Sequence, residues 1–87
     1  MTKKEIIAKL TAEYHEEVAG IKNYQQMIID IEPCDPTGKY RKVLRAILKD
    51  EIEHAEYLYK VLDDMDAFVP DAIQKDIDDV ASVKATM

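Results

Sequence analysis

The chain has 87 residues, 47% apolar and 34% charged, with two Gly, three Pro and one Phe, a composition that suits helices and leaves room for one domain. A domain this small buries only about 60% of the surface its unfolded chain exposes, so association with another copy adds stability it otherwise lacks. The net charge of −6 argues against nucleic acid as a partner, since a phosphate backbone calls for clustered Lys and Arg, and it favours small cations.

In the opening MTKKEIIAKL the apolar stretch is cut at Lys9, so neither a signal peptide nor a membrane span fits, and the cytoplasm is the expected compartment. Thr2 followed three residues later by Glu5 is a capping-box pattern, and no breaker interrupts the chain before Glu32, which predicts a first helix over about 3–31. The breakers then concentrate in Glu32-Pro33-Cys34-Asp35-Pro36-Thr37-Gly38, with Asp35 or Thr37 suited to cap the next helix and Pro36 to its first turn. Cys34, the one cysteine, has no partner for an intrachain disulfide or a Cys-based zinc or iron cage and reads as a loop residue. A second helix is expected over about 38–67, ending before Pro70. A shorter amphipathic one over about 71–84, through Ile73, Ile77 and Val80, is expected to serve packing or assembly.

A first helix of about 29 residues is roughly 43 Å long, more than a globule of this size needs, and points to a bundle or coiled coil. The short connection makes the two long helices antiparallel neighbours, and a hairpin alone leaves an apolar face open. Alternating steps of three and four along the first helix give Ile7, Leu10, Tyr14, Glu17, Ile21, Tyr24, Ile28 and Ile31. Along the second they give Tyr40, Leu44, Ile47, Glu51, His54, Leu58, Val61, Met65 and Phe68. These are heptad seams. Of the 17 positions 14 are apolar, and the three exceptions, Glu17, Glu51 and His54, all carry metal-binding oxygen or imidazole nitrogen. Glu17 precedes the turn at Glu32 by 15 residues, and Glu51 and His54 follow Gly38 by 13 and 16, so all three sit at one level of the hairpin. Glu51 and His54, three apart, share a helical face and can hold one ion.

Other polar residues carry weaker signals. Tyr14 and Tyr24 flank Glu17 and are candidates to hydrogen-bond a ligating carboxylate, with core packing as the alternative. Glu13 and Glu16 are candidates for an outer cation-admission site, with plain solvation the more economical reading. His15 falls off the seam and reads as exposed. Glu53, Glu56, Asp63, Asp64 and Asp66, alternating with Lys49 and Lys60, read as a charged outer face without chemistry.

With these residues on the page, the chain resembles the ferritin-like superfamily, in which one Glu comes from each of two helices and a Glu-x-x-His from each of the other two. DEIEHAEYL around Glu51 and His54 is similar to the second-helix motif of rubrerythrins, and Glu17 with Tyr24 seven residues on to their first helix; the likeness covers roughly residues 5–65. Because the chain holds one half of such a bundle, the closer resemblance is to encapsulated ferritins, short two-helix proteins whose di-iron centre forms between subunits. That likeness implies a homodimer or ring of dimers, with Glu17, Glu51 and His54 from each of two chains as metal and catalytic residues and Tyr24 behind them. It also implies iron as the metal, ferrous iron oxidation for detoxification or storage as the activity, and an encapsulating shell protein, hence a protein nanocompartment, as a candidate setting. No recognisable loading tail is seen at the C-terminal end. Residue chemistry by itself admits manganese or zinc, since two divalent ions of any of these metals would balance four buried glutamates with His54 neutral. The alternative from a different class is a non-enzymatic assembly module whose polar layer fixes register or holds a structural or vestigial metal.

Overall fold

The computed structural model describes residues 1–65 and 71–87 and is all helical, with α1 at Lys3–Asp30, a single 3-10 turn at Glu32–Cys34, α2 at Lys39–Asp64 and α3 at Asp71–Ala85. No helix among the described residues is long and apolar enough to cross a membrane. The expected ends of α1 and α3 agree to one residue. The second helix ends at Asp64, with Met65 as its C-cap, short of the expected Ala67; the expected residues 66–67, the seam position Phe68 and the surface reading of Asp66 lie outside the described residues.

The start of α1 follows from its capping box: the Glu5 amide donates to Thr2 Oγ1 at 3.2 Å, and the Glu5 carboxylate accepts from the Thr2 amide at 3.4 Å. At the far end the turn is organised by Asp35, which is 1% exposed. Its carboxylate accepts the amides of Tyr40 at 3.1 Å and Arg41 at 3.0 Å and the Arg41 Nε at 3.0 Å, and its carbonyl oxygen accepts from Arg41 Nη2 at 3.1 Å. Burial alone would push this acid up, but the two amides and the guanidinium outweigh it and hold the carboxyl below its usual value. Asp35 therefore serves the first amides of α2 from outside the helix, while Gly38 occupies the N-cap position with no side chain to offer. Thr37 takes no part in the cap and Pro36 stands before the helix, not in its first turn. Gly38 has φ +76°, the left-handed region that glycine enters without steric cost.

The core gathers Tyr14, Val18 and Ile21 of α1, Leu48, Ile52, Ala55 and Leu62 of α2, and Ile73, Val80 and Val83 of α3. Ala55 is fully buried, a small side chain that lets neighbouring helices approach. α3 runs beside α1 in the same direction, held by a hydrogen bond between His15 Nδ1 and Asp76 at 2.7 Å and by ion pairs of Lys22 with Asp79 and of Lys84 with Glu56 of α2 at 3.0 Å. Two residues read as exposed are exposed and also hold partners. His15 keeps 71% of its side chain exposed yet partners an Asp76 side chain that is only 6% exposed, and Glu56 ties α2 to α3. Burial on α2 also departs from the heptad walk, since the buried set is turned to one side of Glu51 and His54. Leu48, Ile52 and Leu62 face the core that α2 shares with α1 and α3, while Tyr40, Val43, Tyr57 and Val61 on the opposite flank stay exposed.

Candidate metal centre

Glu17 projects from α1 between the buried Tyr14, Val18 and Ile21, and Glu51 projects from α2 between the buried Leu48, Ile52 and Ala55. Both carboxylates thus spring from the most tightly packed stretch of the hairpin, which fixes where their stems emerge. His54 follows Glu51 by one turn. One donor atom from each of the three lies within 4.8 Å of the other two, with both glutamates half-buried and His54 exposed. The three polar exceptions in the seams are therefore neighbours in space, across two helices and the 33 residues of chain between Glu17 and Glu51.

The electrostatics are those of a pair of acids pressed together. Glu17 is raised from 4.5 to about 7, first by sharing a hydrogen bond with the Glu51 carboxyl, then by burial and by repulsion from Glu51, with His54 acting in the opposite sense. Its Oε2 is buried and has no hydrogen-bond partner among the described residues. A buried carboxylate oxygen without a donor costs stability unless something positive reaches it. Gly20, one turn beyond Glu17, leaves bare backbone beneath Glu51: a Cβ there would lie 3.7 Å from Glu51 Oε2. An orphaned oxygen and a mixed oxygen and nitrogen donor set fit a first-row divalent cation. Three donors from one chain fall short of the four to six that such ions take.

The remaining candidates divide. Glu13 is exposed but close enough for its charge to raise Glu17 further, whereas Glu16 is exposed and stands outside the cluster. Tyr14 is buried in the three-helix core, its ring tilted against Tyr59 with centroids 6.3 Å apart. Its hydroxyl is pushed up to about 12 by burial and then by Asp76, Tyr59 and Glu56, all on the α3 side, so core packing is its role. Tyr24 is half-buried against the core. Among the described residues neither phenol donates a hydrogen bond to Glu17 or Glu51. Gly20 escaped the sequence reading; its signal was a lone glycine inside a helix with no turn to make. No family model matches the chain, and no curated protein or solved structure matches it.

Proposed function

We propose that two copies of this hairpin join their open faces into a ferritin-like bundle, and that the shared site takes up two ferrous ions as substrate and oxidises them. The observation that carries this reading is the convergence of Glu17, Glu51 and His54 within 4.8 Å on the face that α3 leaves uncovered. Two such sets supply four carboxylates and two imidazoles. Two divalent ions bring four positive charges to those four glutamates, which removes the repulsion that raises Glu17. Carboxylate oxygens favour the ferric product over the ferrous reactant, and two ions held about 3.5 to 4 Å apart can each give one electron to dioxygen, which leaves as peroxide with two protons. Manganese or zinc would fit the same donors.

The test is oxidation of ferrous iron in air, followed by absorbance, together with light scattering. We expect faster oxidation than in buffer, a first turnover of two irons per pair of chains, dimers or rings of dimers at tens of micromolar, and loss of the acceleration in Glu17→Ala. Oxidation no faster than buffer for wild type and Glu17→Ala alike would leave the hairpin as an assembly module with a structural polar layer.

A further inference from the structure

Just past the end of α3 a hollow of about 450 Å³ opens between α1 near its end and α2 near its start. Its floor is Leu48, 3% exposed, and its apolar walls are Ile28, Ile29 and Met87, with Ile29 and Met87 exposed by 59% and 56%. Gln25 and Arg45 supply the polar edge. The volume lies within the roughly 300–1,000 Å³ of small-molecule pockets, and apolar walls with a few polar groups are their usual make-up. The two helices contribute residues 25–29 and 45–48, a footprint of about 6 Å along their axes. An amphipathic helix needs anchors spread over about two turns, so the shape suits a thin, flexible chain.

Charge fixes what such a chain must carry at its end. Lys42, Arg45 and Lys49 follow one another by three and four residues, so they share one face of α2. All three are exposed, and among the described residues none forms an ion pair. Like charges one turn apart repel, and here they do so on a chain whose net charge is −6. Three other hollows have an acid in their walls: Glu56 beside Tyr14 and Tyr59, Glu53 and Glu56 beside Lys49, and Asp30 beside Met27 and Cys34. The hollow over Leu48 has Arg45 as its one charged side chain, and Lys49 stands one turn further along the same face. A charged head that settles at this rim is an anion.

We propose that this hollow binds a fatty-acid anion, its acyl chain on Leu48, Ile28 and Ile29 and its carboxylate held between Arg45 and Lys49. The head relieves the repulsion along the basic face, and the tail removes exposed Ile29 and Met87 from water. The site shares no residue with the cluster of Glu17, Glu51 and His54, so it requires neither a metal nor a second copy.

Calorimetric titration of the metal-free protein with octanoate, decanoate and decyltrimethylammonium, each below its micelle concentration, tests this. We expect saturable binding of one decanoate per chain. Octanoate should bind about 15-fold more weakly, since each buried methylene is worth about fourfold in affinity. The cationic amphiphile of equal chain length should bind about tenfold more weakly than decanoate, and Arg45→Gln, Lys49→Gln should cost decanoate about tenfold without weakening the cation. Both substituted positions are exposed, and circular dichroism checks that helix content is retained. In methyl spectra decanoate should shift Ile28, Ile29 and Leu48 and leave Val43 and Val61 in place. No saturation before the micelle concentration, equal affinity for the cationic amphiphile, or decanoate affinity unchanged in the double variant would overturn the site. So would shifts centred on Val43 and Val61, which place the amphiphile on the exposed flank of α2, or no gain from octanoate to decanoate, which leaves a bare anion patch.

Discussion

If Glu17 titrates near 7 because Glu51 crowds it, metal uptake must displace its proton, and the number displaced follows from pH alone. At pH 6 about nine-tenths of Glu17 side chains carry a proton and at pH 8 about one-tenth. A ligating carboxylate must be ionised. Binding of a redox-inert ion such as manganese should therefore release about one proton per chain from Glu17 at pH 6 and almost none at pH 8. The apparent affinity should fall about tenfold per pH unit below 7 for each Glu17 that an ion requires. Calorimetric titration in two buffers of different ionisation enthalpy measures the released protons directly. The sign for stability is opposite in the two forms. The folded-state value lies above the unfolded one of 4.5, so the folded apo chain holds more protons. The contribution of this group is fully present below about 4.5 and is lost as pH rises through 7. With metal bound, stability rises over the same window. Equal proton release at pH 6 from wild type and Glu17→Gln would refute the crowded pair.

Other substitutions test the packing around the site. Ile21→Ala, at a position 0% exposed, should cost about 2–5 kcal/mol in urea unfolding. His15→Ala removes the partner of buried Asp76 and should cost about 1–3 kcal/mol, visible as a drop in melting temperature that Asp76→Asn in the same chain partly reverses. Gly20→Ala meets Glu51 only at ordinary contact distance, 3.7 Å, and replaces a poor helix former. The apo protein should gain about 1 kcal/mol, worth roughly 4–8 °C in melting temperature, with manganese affinity by calorimetry moving less than tenfold.

The hairpin and its site were legible because their signals are local. Breakers cluster in one segment, and Thr2 and Glu5 announce a helix start. Glu17, Glu51 and His54 interrupt apolar seams at equal depth from the turn, which is enough to bring their donors together. The seam on α2 was only half readable. That helix is apolar on more than one flank, and periodicity does not tell whether Leu48, Ile52 and Leu62 or Tyr40, Val43 and Tyr57 meet the rest of the chain. Only the packed core of the three helices decides it. The partnership of His15 with Asp76 spans 61 residues and leaves no trace in the pattern around either one. Tyr14 looked equidistant between core and ligand sphere because a heptad position does not say to which side a ring leans.

The placement of α3 limits how far assembly can go. A bare hairpin has two broad faces, and a unit with two sticky faces stacks on its own kind without end, as fibres do. Here one face is spent inside the chain, closed by Ile73, Val80 and Val83 and rimmed by the Lys22–Asp79 and Lys84–Glu56 pairs. A unit with one face left, matched to itself by a two-fold, saturates on the first encounter. If two copies pair as proposed, the third helix acts as a terminator of growth, and any larger ring is built through contacts other than those that complete the metal site.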